Sequence, residues 1–235
     1  MKEKGLFERE LFRKALKNEP GFSKYRLKDL ETLGNFLARN PAIFKRIYKT
    51  YRNRETNVEI EGSSLNIVFD WESWEAGIGD SKAQVKFELD LFLELLRIAD
   101  LCLVEFLPVG SIVEVDLDIL PEATRGMMSQ ARAMIVNQKA MLHKEADYLY
   151  VDYVANLWPH ASQGNIPPLF LSNVMIKRVI HKGYTTDEER EYIQNVKEVI
   201  VNARQKSITF ISEKELEKLE KDMMIASEKE GEAHA

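Results

Sequence analysis

The sequence is poor in cysteine and contains no long uninterrupted apolar run. Its one cysteine, Cys102, cannot form a disulfide within the chain, so we expect a small core residue and a reducing compartment. The most apolar segment, 85–107, carries seven charged residues, which argues against a membrane-spanning helix. The first residues also lack the apolar stretch and cleavage site of a secretory signal. These absences predict a cytoplasmic protein.

Recognisable catalytic and metal-binding motifs are missing as well. The chain has no glycine-rich phosphate loop and no nucleophile elbow. The histidines are His143, His160, His181 and His234, and none has zinc-site spacing or a cysteine partner. His143 and His181 lie on predicted strands and could meet in space, but we interpret them as structural, and His234 belongs to the tail. The sequence therefore predicts no catalytic residue, no metal and no cofactor, and favours a non-enzymatic protein.

Three carboxylates alternate with apolar residues at Glu114, Asp116 and Asp118. Period-two spacing places them on one face of a strand. They could be imagined to hold a hard cation, but ligands for such ions usually come from loops and turns. We therefore interpret them as a solvated strand face opposite a buried one.

Charge is distributed unevenly along the chain. Residues 1–54 hold 15 lysines and arginines against 6 acidic residues, whereas the rest holds 18 against 32. This basic arm could contact an acidic partner, a nucleic acid or the acidic part of the same chain. No zinc-finger, helix-turn-helix or RNP pattern accompanies the charge, so we do not expect nucleic acid.

Hydrophobic periodicity predicts an α+β fold. Helical stripes fill the first 54 residues, with Asn40 as a cap and Pro41 as the first residue of the third helix. A short hairpin follows at 58–69, and a long buried helix at about 81–104. Strands are predicted at about 111–118, 132–142, 147–156 and 174–181, forming a small antiparallel sheet or partial barrel. C-terminal helices then follow.

Two capping boxes mark the C-terminal helices, one at 185–188 and one at Ser212 with Glu215. We divide the chain into three parts. Residues 1–105 form a mainly helical region with the short hairpin, and 106–211 form a strand-rich domain with a closing helix. Residues 212–235 form a last helix and a disordered tail.

Several apolar side chains are candidates for contact with another protein, because the helical stripes exceed the needs of an obvious core. Trp71 and Trp74 either form a binding ridge, since tryptophan is a preferred hot-spot residue, or cover the core beneath the long helix. The candidate partner-binding residues are Trp71, Trp74, Ile43, Tyr48, Tyr51, Leu216, Leu219 and Met223.

The strand-rich part carries landmarks in a characteristic order. They are Leu107-Pro108-Val109-Gly110-Ser111-Ile112-Val113, then 134–136, Asp147-Tyr148, Asp152-Tyr153, Gly164, 169–170, 176–180, and Gly183-Tyr184 with Asp187-Glu188-Glu189. In this order and spacing, residues 107–193 resemble a domain-of-unknown-function family of Gram-positive bacteria. That family is encoded beside LXG toxins of the type VII secretion system.

The resemblance implies an accessory role. Members look like chaperones or targeting factors that bind the helical N-terminal region of a cognate LXG toxin, with small helical WXG-like partners. The resemblance implies no catalytic residues, and its shared positions imply turns and strand packing. Those positions are Pro108, Gly110, Asp147, Tyr153, Gly183 and Tyr184.

Two alternative functions stay open. An immunity protein would bind the toxic domain of a neighbouring toxin and occupy its active site. A nucleic-acid-binding regulator would use the basic arm and the strand-rich part, and its binding would weaken strongly with salt.

Overall fold

The computed structural model describes residues 5–59, 66–79, 84–119, 131–141, 149–159 and 168–212. The helices among these residues are α1 (Leu6–Asn18), α2 (Leu27–Arg39), α3 (Pro41–Arg52), α4 (Leu89–Leu103) and α5 (Asp187–Ala203). The strands are β1 (Asn57–Glu59), β2 (Asn66–Asp70), β3 (Glu75–Gly79), β4 (Gln84–Glu88), β5 (Ile112–Val115), β6 (Arg132–Met141), β7 (Leu149–Leu157), β8 (Leu169–Leu171), β9 (Ile176–His181) and β10 (Lys206–Ser207). The predicted α+β class is confirmed.

The first three helices each bury one face, as their periodicity predicts. Helix α3 begins at Pro41, but the Asn40 side chain does not cap it. Instead, Asn40 Nδ2 donates to the Phe36 carbonyl at 2.7 Å and closes the end of α2. The sequence signal therefore marks the correct boundary, while the side chain serves the preceding helix.

An antiparallel sheet in the order β1-β2-β3-β4 follows the helices and includes the predicted hairpin. The prediction of a helix from residue 81 is wrong over 84–88, which form β4. Residues of β4 alternate in burial near its end, and Phe87 pairs with Ala76 of β3 and is buried. Strand pairing therefore overrides the apolar continuity with α4 that suggested one helix.

Helix α4 is the long buried helix of the sequence prediction, beginning eight residues later than expected. Twelve of its fifteen residues are buried, and it packs against α1 and α2. Its buried Arg97 is neutralised by Glu94 (Nη2–Oε1 2.5 Å, Nε–Oε2 2.8 Å). Arg97 Nη1 also donates to the Gln205 carbonyl at 2.8 Å, which ties the segment after α5 to the helix.

The second sheet has the order β10-β7-β6-β5-β9, with β8 also paired to β7. Its pairs are antiparallel as predicted, except that β10 runs parallel to β7. The predicted strand at 111–118 ends early at Val115, because Leu117–Ile119 form a 3-10 turn. Strand β9 lies at the end of this order and pairs with β5 alone among the described strands.

Helix α5 starts as its capping box predicts, because the Thr186 hydroxyl accepts from the Glu189 N–H at 3.0 Å. The predicted last helix and the disordered tail fall in 213–235, outside the described residues. No helix in the described part of the chain is long and apolar enough to cross a membrane.

One continuous core joins the first three helices, α4 and the second sheet. Phe44 and Tyr48 of α3, for example, pack edge-on against Phe210, with ring centroids 5.9 and 5.8 Å apart. The division into 1–105, 106–211 and 212–235 stays a prediction.

Candidate binding groove

An open groove of about 650 Å³ runs between the N-terminal helices and the edge of the second sheet. The end of α2 and the start of α3 form one wall, and β9 with the segment after α4 forms the other. Aliphatic side chains make up much of its lining. They include Leu37, Ala38, Pro41, Val104, Val174 and Ile176.

The groove is also basic. Its cationic lining residues are Lys45, Arg46 and Lys49 of α3 and Lys177 and Arg178 of β9, whereas its acidic ones are Asp100 and Glu105. Lys45 reaches across the groove and donates to the carbonyl of Ile176 at the start of β9. The Lys45 side chain is partly removed from solvent, and this burial lowers the pKa of its ammonium group.

The alternating carboxylates meet these cations. Glu114 lies between Lys177 and Arg178 (2.9 and 2.7 Å), and Lys49 lies near both Asp116 and Asp118 (2.9 and 3.3 Å). The prediction of a solvated face is therefore wrong for Glu114 and Asp116, whose side chains are only 16% and 13% exposed. Lys49 also shows that the basic arm contacts the acidic part of the same chain.

Asp100 and Asn173 lie at the floor of the groove. Asn173 Nδ2 donates to both Asp100 oxygens, at 3.1 and 3.3 Å. Burial raises the pKa of Asp100 to about 8, and the Asp152 carboxylate acts in the same direction, against the opposing charge of Lys139. The Asp100 carboxyl therefore holds its proton to a higher pH than an exposed carboxyl does.

A buried ionic layer continues beneath the floor. Lys139 binds Asp152 directly, and neither side chain has more than 1% of its surface exposed. The Lys139 ammonium also lies 3.9 Å from the ring centre of Phe106 and 4.4 Å from that of Tyr150, close enough for cation–π attraction. Burial lowers the pKa of Lys139, while Asp152 opposes that shift. So enclosed an ammonium cannot touch a molecule in the groove, and we interpret this layer as a support.

Tyr153 connects the layer to the groove wall. Its hydroxyl accepts from the Leu107 N–H at 3.1 Å and donates to Asn173 Oδ1 at 2.7 Å. Gln138 Nε2 donates to the Leu107 carbonyl at 2.5 Å. Both the N–H and the carbonyl of Leu107 are therefore hydrogen-bonded, and this fixes the position of the turn that follows.

That turn explains several of the shared family positions. Gly110 has a φ of 84°, a conformation that glycine adopts without strain. The Ser111 hydroxyl donates to the Pro108 carbonyl (2.7 Å) and accepts from the Gly183 N–H (3.0 Å). A Cβ at Gly183 would lie 2.3 Å from the Val109 carbonyl oxygen, so only glycine fits. Pro108, Gly110 and Gly183 therefore shape and hold this turn, while a structural role for all the shared positions stays a prediction.

Tyr184 differs from that expectation. Its side chain is 86% exposed, so it takes no part in strand packing. Asp147, another shared position, falls outside the described residues.

The candidate partner-binding residues have mixed positions. Tyr48 and Tyr51 are buried, so their side chains are core residues and present no free surface; Ile43 is half-buried against the core. Trp71 stacks on Tyr51 and Phe69, with ring centroids 5.9 and 5.6 Å apart. Trp74 Nε1 donates to Asp90 Oδ1 at 3.1 Å. Both tryptophans therefore cover the core, with part of each ring in solvent, while Leu216, Leu219 and Met223 lie outside the described residues.

Other predicted features can be placed more briefly. Cys102 is fully buried, as expected, and burial raises the pKa of its thiol to about 12. His181 is exposed at the end of β9, and His143, His160 and His234 lie outside the described residues. Among the described side chains, no three histidine, cysteine or acidic groups gather in a way that could hold a metal ion.

Sequence reasoning missed the groove and the buried ionic layer. The groove requires knowing that β9 faces α3, which no local pattern contains. The layer did leave a signal, because Asp100, Lys139 and Asp152 are charged residues inside predicted buried elements. Charged residues are rarely fully buried unless paired, so a search for mutual partners would have found them.

Comparison with known proteins finds a family model that matches part of the chain. Residues 106–192 match the model of a family described as a domain of unknown function, DUF4176. No curated protein and no solved structure matches the chain. The match covers β9 and the segment after α4 from residue 106 on, so it includes most of one wall of the groove. This part of the chain is similar to that family.

Proposed function

We propose that this protein is a non-enzymatic chaperone or targeting adaptor that binds another protein in the groove between α3 and β9. The observation that carries this proposal is the groove itself: an open channel of about 650 Å³ with an aliphatic lining and a cationic rim. Such a surface suits a peptide segment or a helix with one apolar face.

The proposed partner is the helical N-terminal region of an LXG-type toxin of a type VII secretion system. The resemblance of residues 107–193 supports this partner, because the family is encoded beside such toxins. Small helical WXG-like proteins would join the complex, and the adaptor would act in the cytoplasm before export. It needs no cofactor for this role.

Co-expression identifies the partner. The full chain is tagged and expressed with each protein encoded beside its gene, divided into a helical N-terminal part and a toxic C-terminal part. We expect a stable complex with the helical part alone. A complex with the toxic part alone would instead indicate an immunity protein, and strongly salt-dependent retention on DNA without either complex would indicate a nucleic-acid-binding regulator.

A further inference from the structure

Strand β9 is an unusually accessible edge. Every residue from Lys177 to His181 is exposed, although side chains of a strand alternate between two faces. Both faces of β9 are therefore open to solvent beyond Ile176. Two of the exposed residues are large and apolar, Val179 (43%) and Ile180 (44%).

An edge strand presents backbone N–H and C=O groups that can pair with another chain. Natural edges are usually shortened, bulged or charged to prevent such pairing. Here the first carbonyl of the edge, that of Ile176, is covered by Lys45. The charged residues beyond it are Lys177, Arg178 and Lys182, of which Lys182 is paired with Glu105 at 2.9 Å.

Positively charged side chains do not prevent every partner from pairing with an edge strand. They repel a basic strand and attract an acidic one. Opposite β9, Arg46 adds a further charge and has no ion-pair partner among the described residues. Glu114 is shared by two cations, whereas Lys49 is shared by Asp116 and Asp118. These two clusters offset each other, so the net positive charge of the groove comes from Lys45 and Arg46.

Ion pairs of this kind can also exchange partners at little cost. Lys177 and Arg178 are 62% and 66% exposed, and exposed pairs contribute little to stability. An incoming carboxylate can therefore take the place of Glu114 without unfolding the wall.

From the open edge and its charge, we infer that an extended acidic segment of a partner protein adds to β9 as a further strand of the second sheet. This inference rests on the proposed adaptor function and assigns β9 to an extended segment of the partner, not to one of its helices. Alternate side chains of the segment lie over the aliphatic lining of the groove, and its carboxylates face Arg46, Lys177 and Arg178. A helix would fill the groove, but its backbone would leave the N–H and C=O groups at the edge of β9 unpaired.

The first test uses a fluorescent peptide of alternating valine and glutamate, matched to the six residues of β9. We expect saturable binding to the full chain, measured by fluorescence anisotropy, and slower amide exchange in β9. A peptide of alternating valine and lysine should not bind. A third peptide keeps the valines and glutamates but carries N-methyl groups on alternate residues, at the amides that would face β9. Strand addition requires those N–H groups, so this peptide should lose at least about tenfold in affinity.

A matched pair of variants locates the site. Arg178→Glu should weaken binding of the acidic peptide about tenfold, because it reverses a charge at the edge. Arg190→Glu is the control, since Arg190 is equally exposed and also bound to a carboxylate, but lies on α5. Thermal unfolding of both variants checks that the fold is kept. Equal weakening by both changes would overturn the inference, and so would full affinity of the N-methylated peptide.

Other occupants of the edge give distinct results. A synthetic peptide of residues 213–235, whose carboxylates outnumber its lysines, is added as a competitor. Displacement of the acidic probe by it would assign β9 to residues 213–235 of the same chain. A dimer of the wild type that Arg178→Glu dissociates would assign the edge to a second copy. If the helical toxin region co-purifies equally with wild type and Arg178→Glu, docking on β9 is wrong while the adaptor function stands.

Discussion

At the scale of single residues, the buried pair of Lys139 and Asp152 contrasts with the exposed pairs of the groove rim. The first has almost no solvent contact, whereas Lys177 beside Glu114 is 62% exposed. Removing one member of a buried pair leaves an uncompensated charge, which is far more costly than losing an exposed pair.

We predict that Asp152→Ala lowers the free energy of unfolding by about 3–5 kcal/mol. Lys177→Met, the control in an exposed pair, should change it by less than about 1 kcal/mol. Urea unfolding of both variants measures the difference. Similar small losses in both would mean that the buried ionic layer does not support the fold as described.

Asp100 leads to a prediction on pH. Its pKa is raised from 3.8 to about 8 in the folded protein, so between these values the folded state binds more protons than the unfolded state. The stability that this group contributes is therefore present at low pH and is lost as the pH rises towards 8. Asp100→Asn removes this loss, because an amide does not ionise.

Unfolding free energies measured from pH 5 to pH 8 test this prediction. The wild type should lose more stability over that window than Asp100→Asn does. Lys197, whose pKa is lowered to about 8, titrates mainly above the window and does not reverse the sign. The same slope for both proteins would show that Asp100 is ionised in the folded state.

At the scale of elements, the turn 108–111 and Gly183 hold the groove wall together. Gly183→Ala would place a methyl group against the backbone oxygen of Val109, and a backbone cannot move aside as a flexible side chain can. We predict a loss of about 1–3 kcal/mol in the free energy of unfolding.

Gly77→Ala in β3 is the matched control. A methyl group there meets the end of the flexible Gln84 side chain at 3.2 Å, so the loss should stay below about 1 kcal/mol. Denaturant midpoints of both variants provide the comparison. A Gly183→Ala protein as stable as the wild type would mean that this contact can relax.

Local sequence patterns predict the helix boundaries, because these depend on interactions between residues close together in the chain. Pro41 and Thr186 mark helix starts correctly, because caps and backbone restrictions act within a few residues. The apolar character of 84–88 continues into α4, and the pattern alone therefore predicts a helix there. The strand state of 84–88 depends on pairing with β3, a contact between separate parts of the chain that periodicity does not encode.

At the scale of the whole molecule, the groove exists only because α3 and β9 lie opposite each other. These elements are far apart in sequence, and Lys45 connects them through the Ile176 carbonyl, while Lys49 binds Asp116 directly after β5. The candidate site was therefore not visible in the sequence, although three of its ingredients were: a basic arm, alternating carboxylates and a strand at about 174–181.

Filling the groove tests the central claim most directly. Ala42 of α3 lines it and is exposed, so Ala42→Trp adds bulk there without entering the core. Ala203→Trp makes the same change at an exposed position of α5 outside the groove. Calorimetric titration with the helical toxin fragment should give wild-type affinity for Ala203→Trp and at least about a tenfold loss for Ala42→Trp. Equal affinities of the two variants would place the partner elsewhere and contradict the account.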